Sequence, residues 1–118
     1  MRIVNLQQML REPNGTVFSV EQFQNISDLF IKTGNREDGK GIYHNTLIAP
    51  RQNPDSGSSL TEIDEAIEDP DMNILLNFDA VHSFTRRDEV NICIYSVEEI
   101  NKMIEKLQAA LHTLPIRP

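Results

Sequence analysis

The chain has 118 residues, of which 39% are hydrophobic and 25% are charged, and its formal net charge is -7. This composition predicts one folded domain over residues 1–118 and argues against a disordered chain. The acidity argues against direct binding of duplex nucleic acid, because that binding draws its affinity from basic side chains on phosphates. No stretch is apolar enough to predict a signal peptide or a membrane span, so we expect no membrane contact.

The first half of the chain predicts one helix and three strands. Val4–Leu10 has the apolar spacing of a short helix, which Pro13–Gly15 ends. Thr16–Val20 and Leu29–Lys32 are rich in strand-forming residues, and Ile42–Ile48 follows a polar turn. Short polar connections between these strands favour antiparallel pairing.

The second half begins with residues 51–58, whose polar composition predicts a flexible loop. A helix follows that starts with the capping-box sequence Ser59–Glu62 and ends at Pro70. Met72–Phe78 predicts a fourth strand, and Phe84–Glu89 predicts a polar connection.

The end of the chain predicts a fifth strand that turns directly into a helix. Val90–Tyr95 alternates in polarity, Ser96 and Glu99 form a capping box, and Pro115 marks the helix end. Together, the elements predict an α+β fold: an antiparallel sheet of about five strands with helices packed on one face. The apolar stripe of the closing helix consists of Val97, Ile100, Ile104, Leu107, Leu111 and Leu114.

The sequence contains no Gly-rich phosphate loop and no metal-ligand spacing, so we predict neither a metal nor a cofactor. Cys93 is the only cysteine and lies in a predicted strand, which indicates a buried thiol and a reducing compartment. His44 and His82 lie on or beside strands of the sheet, and the fold could bring them together.

Arg86-Arg87 is the most suggestive polar pair. Two guanidiniums in a turn can bind a phosphate or carboxylate bidentately while an aromatic ring stacks on a base. A charged surface turn is the simpler interpretation of the pair. The candidate ligand-binding residues are Arg86, Arg87, Tyr43, His44, Phe84 and Arg51.

The second predicted helix carries a run of carboxylates. A solvated helix face explains this run without any function, and the functional alternative is a contact to a basic partner that added salt weakens. The candidate partner-binding residues are Glu62, Glu65, Glu68 and Asp69.

The closing helix allows two interpretations. Its stripe is wide enough to cover the predicted sheet, which we expect to be its main role. Residues such as Met103, Ala110 or Leu114 could remain for a second subunit, so a homodimer or higher oligomer is a further prediction.

Ile3–Leu6, Pro13–Phe18 and Leu29–Lys32 give an order of helix, turn and strands that resembles small proteins encoded by phages and prophages. The closing strand and Leu/Ile-rich helix resemble the ends of those proteins. The resemblance covers about half of the chain and contains no catalytic signature. It implies an inhibitor of host defence in the cytoplasm of a bacterial host.

The leading hypothesis is a non-enzymatic binding protein with an anti-defence role, acting by one of two mechanisms. In the first, an oligomer sequesters a nucleotide-derived signal; in the second, the acidic surface blocks a host protein. One alternative is a small nucleotide hydrolase with His44 or His82 as base and Asp79 or Asp88 orienting it. A phage structural or regulatory accessory protein is a further alternative.

Overall fold

A computed structural model describes residues 1–48, 59–71, 73, 76–85 and 90–115. The predicted loop at 51–58 lies outside these residues. In chain order, the elements are β1 (Arg2–Val4), α1 (Leu6–Arg11), β2 (Val17–Gln22), β3 (Asn25–Ile26), β4 (Phe30–Asn35), β5 (Gly41–Thr46), α2 (Ser59–Glu68), β6 (Val81–Thr85), β7 (Asn91–Ile94) and α3 (Val97–Thr113).

Within the described residues, the strands form one antiparallel sheet. Their order across it is β1-β7-β2-β4-β5-β6, and β3 pairs with β2 beside this path. The predicted α+β class and antiparallel sheet are therefore confirmed, with somewhat more strands than the five expected. In the described part of the chain, no helix has both the length and the apolar character needed to cross a membrane.

Three predicted boundaries differ from the observed elements. Val4 ends β1 instead of starting a helix, because Asn5 caps α1 through a reciprocal pair of hydrogen bonds with Gln8. Phe84, predicted to begin a polar connection, lies in β6, where pairing with β5 satisfies its backbone. In the predicted strand Met72–Phe78, the described residues show only a single bridge, at Leu76.

The core lies between the sheet and α1. Met9, Phe18, Ile42 and Ile92 are all 0% exposed, which places the middle of α1 over the central strands. The face of the sheet that carries these residues is called the core face below. Cys93 is also buried, as predicted, and burial raises the pKa of its thiol.

A buried lysine joins α1 to the sheet. Lys32 is only 2% exposed, and its Nζ donates hydrogen bonds to the carbonyl oxygens of Met9 (3.0 Å), Leu10 (3.2 Å) and Glu12 (2.6 Å). These carbonyls lie at the C-terminal end of α1, where the helix ladder ends and a positive charge is favourable. The Glu12 N–H also donates to the Met9 carbonyl (3.1 Å), and Asn35 Nδ2 also donates to the Leu10 carbonyl (3.0 Å). Burial lowers the pKa of Lys32, and the charge of Glu12 opposes this shift.

We expect Lys32→Met to lower the free energy of unfolding by about 2 kcal/mol, because three carbonyls at the end of α1 lose their hydrogen bonds to the ammonium. The Leu10 carbonyl keeps the bond from Asn35 Nδ2 (3.0 Å), and the Met9 carbonyl keeps the bond from the Glu12 N–H (3.1 Å). Urea unfolding followed by circular dichroism measures this change. Lys40→Met is the matched control, since Lys40 is exposed in the turn before β5. Equal stability of the two variants would contradict the assigned role of Lys32.

The β2–β3 hairpin places an aromatic ring at its tip in an unfavourable backbone conformation. Phe23 and Gln24 have φ values of 52° and 67°, and Phe23 is 86% exposed. Contacts on the flanking strands hold the turn: Gln24 N–H donates to Glu21 Oε1 (2.8 Å) and Val20 N–H donates to Ser27 Oγ (2.8 Å). A Phe in the left-handed region stores strain that these contacts maintain.

Phe23→Asn is expected to raise the free energy of unfolding by roughly 1 kcal/mol, because Asn tolerates positive φ and little buried area is lost. The midpoint of urea unfolding is the measurement. Phe78→Asn makes the same change at another exposed phenylalanine, which is 62% exposed and does not have a positive φ, and should not stabilise the chain. A lower free energy of unfolding in Phe23→Asn would contradict the assignment of backbone strain to Phe23.

The closing helix α3 begins as predicted and packs differently. Ser96 N–H donates to Glu99 Oε1 (3.0 Å) and Glu99 N–H donates to Ser96 Oγ (3.1 Å), which completes the capping box. None of the α3 residues is buried. The expectation that its stripe covers the chain's own sheet is therefore wrong: Val97, Leu107 and Leu111 are 73%, 72% and 70% exposed.

Candidate functional site

Three of the predicted ligand-binding residues lie on two neighbouring strands. Tyr43 and His44 belong to β5, and Phe84 belongs to β6. The other three, Arg51, Arg86 and Arg87, lie outside the described residues.

The register of β5 and β6 places His44, His82 and Phe84 on the core face. His44 is directly opposite His82, and Ile42 is opposite Phe84. Alternate residues of a strand share a face, so His82 and Phe84 lie on the same side of β6. The ring centroids of His44 and His82 are 5.9 Å apart. The prediction that the fold could bring the two histidines together is confirmed.

Tyr43 lies on the opposite face of the sheet, because it is next to His44 in the strand. Its hydroxyl donates a hydrogen bond to Glu37 Oε2 (2.8 Å) in the turn before β5. This bond raises the pKa of Tyr43. The pKa of Glu37 is lowered, mainly by a backbone hydrogen bond and to a smaller extent by the hydrogen bond from Tyr43. The structure therefore does not bring the rings of Tyr43 and His44 together.

His44 is enclosed by aromatic rings. It is 7% exposed, and its ring meets Phe30 and Phe18 edge-on at centroid distances of 4.7 and 5.9 Å. Burial, and then the charge of His82, lowers the pKa of His44, so its ring is neutral at neutral pH. Its Nδ1 is buried without a hydrogen-bond partner among the described residues, as is Oδ1 of the neighbouring Asn45.

A buried polar atom without a partner costs free energy, so native proteins keep few of them. Two such atoms, His44 Nδ1 and Asn45 Oδ1, occur on consecutive residues of β5. Neighbouring residues of a strand point to opposite faces, so Asn45 lies on the same face as Tyr43. His44 Nδ1 is therefore the atom of the two that shares a face with the exposed His82 and the half-buried Phe84. We call His44, His82 and Phe84 the aromatic face.

The geometry of a hydrolase is not assembled in the described residues. Neither His44 nor His82 has a hydrogen bond to a carboxylate there, and Asp79 uses its backbone N–H to bond Asn77 Oδ1 (3.0 Å). Asp88 lies outside the described residues. In the described part of the chain, no three His, Cys, Asp or Glu side chains lie together in a way that could hold a metal ion.

The predicted partner-binding carboxylates lie on or just after α2. Glu65, Glu68 and Asp69 are exposed, and none of them forms a salt bridge with a described residue. Glu62 belongs to the same helix, but its side chain lies outside the described part. Glu65, Glu68 and Asp69 thus give α2 and the residue after it an exposed acidic surface.

An open cleft of about 620 Å³ lies at the base of α3. Its walls include Arg2, Pro13 and Tyr95, together with Val97 and Ile100 from the first turns of α3. We call it the base cleft. Of the predicted ligand-binding residues that the structure describes, none lines it.

Comparison of the chain with protein-family models, curated proteins and solved structures finds no match.

The sequence indicated that His82 could lie near His44, but it did not indicate that His82 belongs to a strand or that the ring of Phe30 contacts His44. A signal was present in the alternation of His82 and Phe84 within Val81–Thr85, which includes the strand-forming residues Val, Phe and Thr. Two hydrophilic residues in that run, His82 and Ser83, weakened the pattern of a buried strand.

We expect the stability of the chain to fall as the pH is lowered from about 7.5 to about 5.5. The unfolded state takes up a proton at His44 near the ordinary histidine pKa of about 6.5, whereas the folded state resists protonation because burial lowers the pKa of His44. The unfolded state therefore binds more protons in this range, and stability rises with pH. Urea unfolding at each pH measures the slope.

His44→Phe should flatten this slope, because the ring remains and the titration is lost. His112→Gln removes an exposed histidine from α3 and is the matched control, which should keep the slope. An unchanged slope in His44→Phe would contradict the assignment.

Proposed function

We propose that the chain is a non-enzymatic binding protein that sequesters a nucleotide-derived signal and thereby inhibits host defence. The observation that carries the proposal is the aromatic face, where His44, His82 and Phe84 lie together with a buried Nδ1 that lacks a partner in the described residues. The exposed ring of His82 and the half-buried ring of Phe84 supply stacking surface for a base. The buried Nδ1 of His44 supplies a directional hydrogen bond to a ligand when the rings around it move apart.

Arg86 and Arg87 supply the second half of the proposed recognition. They follow Phe84 within three positions of the sequence, directly after β6. Guanidinium groups bind phosphate oxygens bidentately, and a net charge of -7 makes local cations necessary for an anionic ligand. The proposed contacts are a base on the aromatic face and phosphates on the two arginines.

Binding without turnover is the better match to the described histidines. A general base needs a group that orients it within hydrogen-bond distance, and His44 Nδ1 has no such group in the described part of the chain. The lowered pKa of His44 fits a neutral hydrogen-bonding ring in a mostly apolar surrounding.

The anti-defence role rests on the resemblance to small phage and prophage proteins. A protein of this role would act in the cytoplasm of a bacterial host, where the lone buried Cys93 stays reduced. As a homodimer or higher oligomer, the chain would hold several signal molecules per assembly.

The first test is to express the chain in bacteria that carry a nucleotide-signalling defence system, to purify it after phage challenge, and to denature it. Mass spectrometry should recover an intact nucleotide. Recovery of a cleaved product would instead indicate a hydrolase. The test is repeated with several nucleotide-signalling defence systems. If the chain retains no nucleotide with any of them, the proposal is contradicted.

Arg86→Ala with Arg87→Ala is expected to weaken binding of the recovered nucleotide by about 100-fold or more, because two charge-assisted hydrogen-bonding groups are lost. Isothermal titration calorimetry measures the dissociation constant. Lys102→Ala with Lys106→Ala removes the same charge from α3 and should leave binding unchanged.

Nucleotide affinity that survives the arginine replacements would contradict the proposed contacts. The chain could also allow phage to form plaques on the defended bacteria without retaining a nucleotide. That rescue would favour the blocking of a host protein by the acidic surface on α2. In that case Glu65→Gln with Glu68→Gln should abolish the rescue, and added salt should weaken the complex.

A further inference from the structure

The apolar stripe of α3 is a surface that the described part of the chain leaves uncovered along most of the helix. Isolated helices of this length are marginal in water, and most helical stability in proteins comes from packing an apolar face. The exposed large apolar residues of α3 are Val97, Ile104, Leu107, Leu111 and Leu114. An uncovered stripe of this extent marks a protein-binding surface.

We propose that a second copy of this chain covers the stripe, with the two α3 helices packed antiparallel about a two-fold axis. The stripe has the three-four spacing of a coiled-coil seam. If the axis passes beside Glu105 and Lys106, every apolar position meets an apolar position of the partner helix. Three pairings join Val97 to Leu114, Ile100 to Leu111, and Ile104 to Leu107 of the other copy, and the two-fold axis repeats each of them to give six layers.

The residues that flank the stripe favour a copy of the same chain. Asn101 and Gln108 flank it on one side, and Met103 and Ala110 flank it on the other. These uncharged side chains cause no repulsion between identical helices, whereas a helix built for a charged partner carries charges at these positions.

The charges at the helix ends favour the antiparallel arrangement. The first turn of α3 carries Glu98 and Glu99, and its last turn carries His112. A parallel pair would bring both Glu98 carboxylates and both aligned helix dipoles to the same end, which is unfavourable. Glu99 adds less to this repulsion, because the Met1 ammonium pairs with its Oε1 (2.6 Å). An antiparallel pair places each acidic turn beside the last turn of the other helix.

The base cleft extends the interface beyond the helices. Two 17-residue helices in contact along about 26 Å bury on the order of 1,000 Å², which is near the lower limit for a specific interface. Val97 and Ile100 belong to both the stripe and the base cleft. In the proposed register, Leu111 and Leu114 of the other copy lie level with these two residues, at the mouth of the cleft. The end of each α3 thus covers the cleft of its partner and adds the area that the helices alone lack.

Light scattering after size exclusion tests the assembly on the full chain, at concentrations up to about 100 µM, above the dissociation constants of weak specific interfaces. We expect a mass of twice the 13.5 kDa chain. Leu107→Glu should weaken the dimer by about 100-fold or more, because it buries a carboxylate in each of the two central layers. Ala109→Glu places the same charge on the opposite side of α3 and should leave the dimer intact.

Protection of the Cys93 thiol from a thiol reagent shows that each variant remains folded, because Cys93 is buried in β7 and outside α3. A monomeric wild-type chain, or a dimer that Leu107→Glu leaves unchanged, would overturn the proposal. Neither outcome affects the nucleotide proposal, whose test is ligand recovery.

Disulfide formation tests the direction of the helices. Chains with Val97→Cys and chains with Leu114→Cys should cross-link when they are mixed, and neither should cross-link to itself. Self-cross-linking of Leu114→Cys chains would indicate a parallel pair and overturn the antiparallel arrangement.

Discussion

The buried ammonium of Lys32 is the interaction on which the described core depends. Helix α1 has only six residues, too few to be stable alone, so it needs tertiary contacts at both ends. Asn5 and Gln8 satisfy its first turn, and Lys32 satisfies the carbonyls at its end. The backbone of Lys32 also binds the turn between α1 and β2, because the Lys32 N–H donates to the Thr16 carbonyl (2.9 Å). Lys32, together with Asn35 Nδ2 on the Leu10 carbonyl (3.0 Å), therefore joins β4 to α1 and positions Met9 over the sheet.

The same arrangement shapes the aromatic face. Lys32 is directly opposite His44 in the β4–β5 pair, and Phe30 lies two residues before it on the same face. With the lysine side chain directed to α1, the rings of Phe18 and Phe30 enclose His44. This enclosure lowers the pKa of His44 and leaves its Nδ1 without a partner in the described residues. A neutral ring with unused hydrogen-bonding capacity is the property that the proposed ligand contact uses.

In the closing helix α3, the capping of the first turn and the packing of the apolar stripe have different origins. Its start is determined locally, because Ser96 and Glu99 satisfy each other's backbone donors within one turn. The spacing of its apolar stripe does not determine which surface packs against it. The same spacing suits the chain's own sheet or another helix, and the structure leaves the stripe exposed. An antiparallel second copy would use the stripe and the base cleft together, so self-association and ligand binding would occupy different parts of the chain.

The sequence by itself determined the α+β class, the capping box at Ser96, the β7–α3 junction and the buried Cys93, because short-range periodicity and local hydrogen bonds encode these features. It did not show that Lys32 is buried, that β6 includes Phe84, or that α3 leaves its own sheet uncovered. Those features depend on which strands pair and in which register. Of the predicted ligand residues, the structure places His44 and Phe84 on one face and Tyr43 on the other, because pairing and pleat decide the direction of each side chain. Composition and spacing name the residue types, and only the tertiary structure decides which of them meet.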